Sequence, residues 1–162
     1  MTTAIFPGSF DPITNGHLDL IQRALNLFDH VHVAVLINRS KNPLFTVEER
    51  MAMMAQCVPS TQVEITSFRG LLVDYARKVK ANVIIRGLRA VSDYEYELQL
   101  AMMNRELAPE IETVFLMPPP EFSFISSRLV KEVAGLGGEV DNFVPSVVKQ
   151  ELTKKLAKNR EA

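Results

Sequence analysis

Three stretches of the sequence concentrate side chains and backbone groups suited to holding phosphate. The first is Phe6-Pro-Gly-Ser-Phe-Asp-Pro-Ile-Thr-Asn-Gly-His17, whose Pro and Gly residues fix a long turn ahead of a helix. Gly16 removes a side chain where that helix starts, so free backbone N–H groups and the positive end of the helix dipole can meet an anion. His17 follows in the first turn, where an imidazole can donate to a phosphate oxygen as charge develops in a transition state. Taken alone, Asn15 and Gly16 read as an ordinary cap, with His17 solvated or satisfied in the core; the other two stretches turn the reading towards phosphate. The second stretch, Ile84-Ile-Arg-Gly-Leu-Arg89, sets the guanidinium groups of Arg86 and Arg89 around a glycine at the end of an apolar run, suited to bidentate phosphate binding or to surface ion pairs. The third is Glu121-Phe-Ser-Phe-Ile-Ser-Ser-Arg-Leu-Val-Lys131. There Ser126 or Ser127 can cap a helix whose N-terminal amides form another cradle. Arg128 and Lys131 lie one turn apart and can face one anion. Phe122 and Phe124 suit either a nucleobase or the core. Arg39 and Lys41, in Asn38 to Thr46, add two loop cations.

Positioning these groups requires a scaffold, and the pattern supplies one. Apolar β-branched runs at Thr3 to Phe6, Val31 to Ile37, Gln62 to Thr66, Asn82 to Arg86 and Thr113 to Met117 alternate with amphipathic segments. Those segments run from Gly16 to Phe28, Val47 to Cys57, Leu71 to Val79 and Asp93 to Leu107, with further helices at Ser127 to Ala134 and about 145–158. Alternation of this kind predicts an α/β, Rossmann-like single domain: a five-stranded parallel sheet with helices on both faces. Thr46-Val-Glu-Glu49 and Ser92-Asp-Tyr-Glu95 read as capping boxes, and Pro145 suits a helix start. Pro118-Pro119-Pro120 reads as one stiff loop. Ligands of such sheets sit beyond the strands' carboxyl ends, where the three phosphate-holding stretches fall.

Composition narrows the alternatives. The 162 residues are 47% apolar and carry a net charge of -1, so no global field favours nucleic acid or an anionic membrane, and anion binding must be local. No signal or membrane-spanning run stands at the N-terminus, which points to the cytoplasm. Cys57 is the one cysteine, which excludes an internal disulfide and a thiolate cluster; its helical apolar setting reads as structural. A Gly-x4-Gly-Lys-Ser/Thr loop is absent, and Gly135-Leu-Gly-Gly138 follows a helix, so it reads as a helix stop. His30 and His32 alternate along a strand and imitate a metal pair, although solvated imidazoles on a strand edge account for them, and no metal site is expected. Glu95 and Glu97 lie two apart on a helix and share no face.

Gly8-Ser-Phe-Asp-Pro-Ile-Thr-Asn-Gly-His17 with Ile125-Ser-Ser-Arg-Leu-Val-Lys131 resembles the nucleotidyltransferase superfamily. Arg86-Gly-Leu-Arg-Ala-Val-Ser-Asp-Tyr-Glu-Tyr-Glu97 narrows the resemblance to bacterial phosphopantetheine adenylyltransferases, over Ala4 to about Leu156. The resemblance implies one nucleotidyltransferase domain over 1–162, transferring the adenylyl group of ATP to 4'-phosphopantetheine to give dephospho-coenzyme A and pyrophosphate, with Mg2+. It implies direct attack of the acceptor phosphate on the α-phosphorus, without an enzyme nucleophile, and a homohexamer.

By position, the resemblance assigns Ser9, Lys41, Leu72 and Arg86 to phosphopantetheine. It assigns Ser9, Phe10, His17, Gly87, Leu88, Arg89, Glu97, Phe122, Ser123, Phe124, Ile125, Ser126, Ser127 and Arg128 to ATP. His17 is the implied transition-state stabiliser, and Lys41 and Arg89 offset developing charge. Ser9 stands where threonine is common in the family, Arg128 where a hydroxyl residue is, and Lys131 replaces the arginine of the wider motif. A nucleotidyltransferase acting on nicotinamide mononucleotide or using CTP, and a nucleotide-binding regulator without turnover, are the alternatives.

Overall fold

The computed structural model describes residues 2–37, 42–58, 61–89 and 91–161. Five strands, β1 (Thr3–Gly8), β2 (His30–Leu36), β3 (Val63–Phe68), β4 (Val83–Gly87) and β5 (Glu112–Leu116), alternate with α1 (Asn15–Leu25), α2 (Val47–Cys57), α3 (Leu72–Lys78) and α4 (Val91–Leu107). A 3-10 turn at Pro120–Phe122, α5 (Ser127–Gly135) and α6 (Ser146–Glu161) follow. The proline run thus leads into a turn of helix, and α6 ends three residues beyond the expected boundary.

All strand pairs are parallel and the sheet order is β3-β2-β1-β4-β5, as the alternation predicts. Central β1 reads as an apolar run because both its faces are covered. On one face Ala4, Phe6, Val31, Val33 and Ile85 pack with Leu20 and Ile21 of α1, Met53 and Met54 of α2, Val130 of α5 and Leu152 of α6. On the other, Ile5, Ala34, Ile84 and Phe68 pack with Val73 and Ala76 of α3 and with Ala108 and Ile111. The chain winds from β1 to β3 in one direction and then returns to place β4 on the far side of β1. That reversal opens a crevice beyond the carboxyl ends of β1 and β4, the usual ligand position in such sheets.

Local signals place the helices. Thr46 and Glu49 close the expected capping box of α2. Gly137 adopts φ +84 and stops α5, with Gly138 N–H donating to Val133 O and Gly137 N–H to Ala134 O. Cys57 is partly buried against the core, and burial pushes its thiol pKa up, as befits a structural residue.

The reading of His30 and His32 as solvated residues on an edge strand is overturned. β2 lies between β1 and β3, and His32 is buried. Alternation along β2 turns both imidazoles toward the face packed by α3, where burial follows from sheet position.

Candidate active site

The site forms in the crevice between β1 and β4, where a cavity of about 610 Å³ is lined from the loops that follow β1, β2, β4 and β5 and from helices α1, α2, α4 and α5. His17, Arg86, Arg89, Ser126, Ser127 and Arg128 all line it, so the three phosphate-holding stretches meet. Five cations, Arg50, Arg86, Arg89, Arg128 and Lys131, surround it, against three carboxylates, Asp11, Asp93 and Glu97. A chain of net charge -1 therefore gathers positive charge at one place.

The first loop turns sharply to reach this place. Phe10 sits at φ 45, a left-handed conformation that an ordinary residue adopts only when its surroundings hold it there. Its buried ring packs edge-on to Phe6 at 5.6 Å and to His17 at 5.1 Å between centroids. A Cβ on Gly8 would lie 2.9 Å from that ring, so glycine is what lets Phe10 fold back over the strand end.

His17 occupies the third position of α1. Its N–H donates to the hydroxyl of Thr14, and the Thr14 N–H donates back to Nδ1 at 3.1 Å, so the N-cap is Thr14 and histidine takes the role usually filled by Glu or Gln. Accepting at Nδ1 fixes the tautomer. The proton of the neutral ring must sit on Nε2, which has no protein partner among the described residues. Burial, and then the positive charge of Arg89, push the pKa of His17 down to about 4. At neutral pH this imidazole is an uncharged, oriented N–H donor.

Gly16 is placed differently from its expected role. It is buried and does not line the cavity; a Cβ there would meet Phe122 Cβ at 3.5 Å. The start of α1 is also less open than expected, since Asn15 N–H donates to Phe143 O and His17 N–H to Thr14. The freer cradle is α5. Ser126 caps it by accepting from Leu129 N–H at 3.1 Å, while the residues carrying its first two amides, Ser127 and Arg128, face the cavity. The Ser127 hydroxyl is spent on Pro12 O at 2.7 Å, which ties α5 to the first loop.

Arg86 and Glu97 meet as a bidentate pair, with Nε to Oε2 and Nη2 to Oε1 both at 2.6 Å. The planar face of Arg86 expected for phosphate is thus held by a carboxylate on α4, and Nη1 lies 3.4 Å from Pro7 O. Arg89 donates to Ile125 O at 3.1 Å and sits 3.4 Å from Asp93. Arg128 has no protein partner among the described residues. Lys131 pairs with Asp11 at 2.6 Å, so it reaches the cavity as half of an ion pair rather than as a free companion of Arg128.

Ser9, Phe10 and Gly87 line the cavity as expected, whereas Leu72, Leu88, Phe122, Ser123, Phe124 and Ile125 do not. Phe122 packs against the core, Phe124 is exposed and edge-on to Phe143, and Ile125 is buried, contributing its carbonyl to Arg89. Leu72 packs against the same core cluster as Leu36, which does line the cavity. Lys41 and Arg39 lie outside the described residues.

Sequence reasoning missed Arg50, a buried side chain on α2 that lines the cavity and donates from Nη1 to Ser9 O at 2.7 Å. The signal was present: Arg50 shares a helical face with Val47 and Met54, so a cation stood in an otherwise apolar stripe. Asp11 was also missed. It is buried, accepts from Leu44 and Phe45 N–H groups, and binds Lys131.

Comparison with known proteins places the chain in a family. A model of the cytidylyltransferase-like family matches residues 5–133. A phosphopantetheine adenylyltransferase of Alkaliphilus metalliredigens is 56% identical over 156 residues, covering 96% of this chain and 99% of the relative. One from Clostridium perfringens is 53% identical over 161 residues, covering 99% of this chain and 98% of that protein. Among solved structures, a Vibrio parahaemolyticus protein assigned as a nicotinate-nucleotide adenylyltransferase shares the fold, with TM-score 0.68 and 17% identity, over 94% of this chain and 99% of its own. By its sequence the chain belongs to the phosphopantetheine adenylyltransferase family of the cytidylyltransferase-like nucleotidyltransferases.

Proposed function

We propose that this cavity transfers the adenylyl group of ATP to 4'-phosphopantetheine, giving dephospho-coenzyme A and pyrophosphate, by direct in-line attack of the acceptor phosphate. The carrying observation is His17, locked by Thr14 as a neutral Nε2–H donor inside a ring of cations. An in-line displacement at phosphorus asks for positioning and charge stabilisation and for little covalent chemistry from the protein. The hydroxyls of Ser126 and Ser127 are committed to Leu129 and Pro12, which argues against either as a nucleophile.

In this reading His17, Arg89 and Arg128, with the first amides of α5, hold the triphosphate and stabilise charge at the α-phosphate. Arg86, steadied by Glu97, receives the acceptor phosphate. The pantetheine arm leaves past Leu36, and Leu72, outside the cavity, is assigned to its far end. Asp11, Asp93 and Glu97 are each engaged by a cation, so the residues do not form a protein-built Mg2+ cage. Magnesium is therefore assigned to the substrate, as the counter-ion of ATP held by phosphates and water.

Among the described residues no helix is long and apolar enough to cross a membrane. We place the reaction in the cytoplasm because both substrates are charged phosphates that do not cross membranes unaided. A homohexamer is supported by α4, which exposes Tyr94, Tyr96, Leu98, Met102, Met103 and Leu107. So much apolar surface on one helix suits contact with further copies.

The deciding experiment supplies ATP chiral at the α-phosphorus together with phosphopantetheine. Dephospho-coenzyme A formed with inversion supports direct transfer. Retention would require a covalent intermediate, and turnover only with nicotinamide mononucleotide or CTP would move the chain to another substrate class. Binding of ATP without release of pyrophosphate would leave a regulator.

A further inference from the structure

We propose that His30, His32 and Glu64 form a second site, for a divalent transition metal of the zinc type, that clips β2 to β3. His30 and His32 stand two apart on β2, and the parallel register sets Glu64 of β3 opposite His32, so all three share one face of the sheet. Glu64 Oε2 lies 3.6 Å from His32 Nδ1 and 3.8 Å from His30 Nε2, and the three ligating atoms fall within 4.8 Å of one another.

Those separations are too long for hydrogen bonds. They are close to what a metal needs: bonds of about 2.0–2.2 Å in a tetrahedral arrangement put ligand atoms roughly 3.3–3.6 Å apart. A small rotation of the half-buried His30 closes the remaining gap. Two imidazoles and a carboxylate suit zinc, with a fourth position left for water.

The independent observation is the His32 side chain. It is 9% exposed, and its Nδ1 is buried without a hydrogen-bond partner. A polar nitrogen buried in this way is costly unless something binds it. Thr66 Oγ1 is likewise buried and unpartnered, one register pair further along the same face opposite Ala34. His32 pairs in register with Ile5, three residues before the end of β1, and none of the three ligands lines the adenylyl-transfer cavity. The metal is therefore structural, and adenylyl transfer does not depend on it.

The test uses untagged full-length protein stripped with a chelator, then titrated with Zn2+ against a competing indicator and, separately, with Co2+ followed by visible absorption. The expected result is one equivalent per chain, intense tetrahedral Co2+ bands, and a melting temperature about 5–10 °C higher at a hundredfold excess of Zn2+ over Kd. His32→Ala should lose at least thirtyfold in affinity. Glu64→Gln, altering a largely exposed side chain that is not needed for folding, should lose about tenfold and blur the Co2+ spectrum, while both variants keep basal turnover. Failure of the wild-type protein to bind Zn2+ or Co2+ near stoichiometry at micromolar concentration would overturn the proposal, as would binding that survives unchanged in both variants.

Discussion

Replacing His17 separates two jobs that one ring performs. In His17→Ala the Thr14 N–H, on a residue only 1% exposed, loses its acceptor, which costs about 1–3 kcal/mol. For a chain of this size the melting temperature should fall by about 2–12 °C. The same substitution removes the Nε2–H donor, and one preorganised donor is worth ~2.7–4 kcal/mol in a transition state, so kcat should fall by about a hundredfold to a thousandfold while ATP still binds. His17→Gln restores a conventional capping box and keeps an amide donor, so stability and part of the turnover should return. His17→Glu restores the box and favours the helix dipole but offers no donor and sets a carboxylate beside the triphosphate; it should be stable and inactive. The assays are melting curves, ATP binding by calorimetry and initial rates of pyrophosphate release. If His17→Glu turns over within tenfold of wild type, or His17→Ala loses ATP affinity by the factor it loses in kcat, the proposed role fails. A pH series adds a sign. Because burial and Arg89 lower the pKa of His17 from 6.5 to about 4, the unfolded chain takes up a proton there that the folded chain refuses. Its contribution is complete above pH 6.5 and drains away as pH falls towards 4. Allowing for partial solvent contact, wild type should lose about 1–3 kcal/mol relative to His17→Gln over that interval.

Gly87→Ala should lower stability by about 1–3 kcal/mol in chemical denaturation, because the new Cβ would stand 2.7 Å from Leu20 Cδ1 in the core. Gly16→Ala, whose Cβ finds ordinary contacts at 3.5 Å and beyond, should stay within about 1 kcal/mol of wild type and keep its turnover; loss of turnover would return Gly16 to the phosphate site. Glu97→Gln removes the charge that holds Arg86, and steady-state kinetics should show KM for phosphopantetheine rising about tenfold with the Kd for ATP unchanged. Equal weakening of both substrates would place Arg86 on the nucleotide instead.

The sheet was legible because a parallel strand covered on both faces has nowhere to put polar residues, so β1, β2 and β4 read as apolar runs between punctuated helices. The convergence of His17, Arg89 and Ser127 was legible for a related reason: each stands just beyond a strand's carboxyl end, and in a parallel sheet those ends share one side. Strand order was not. Nothing in the spacing says that β2 is interior, and so the burial of His32 was missed. Partner choice was equally hidden, since the pairing of Arg86 with Glu97 depends on how α4 sits against the sheet and that of Lys131 with Asp11 spans most of the chain. Gly16 misled because a glycine at a helix start signals close approach without saying of what; here it is Phe122.

The first loop shows why such long-range pairs matter to the reaction. Arg86 from β4 reaches Pro7 O, Arg50 from α2 reaches Ser9 O, Ser127 from α5 reaches Pro12 O, and Asp11 draws in the amides of Leu44 and Phe45 together with Lys131. Three carbonyls of the loop are thus held from three different elements, which fixes the strained Phe10 and, through its ring, the plane of His17. Lys131 and two amides also offset the Asp11 charge, so a carboxylate on the cavity wall does not repel a triphosphate. A donor set this constrained is already aimed before ATP arrives. It need not reorganise as the α-phosphorus passes through its transition state, and that is where the uncharged, oriented His17 adds to the charge stabilisation by Arg89 and Arg128.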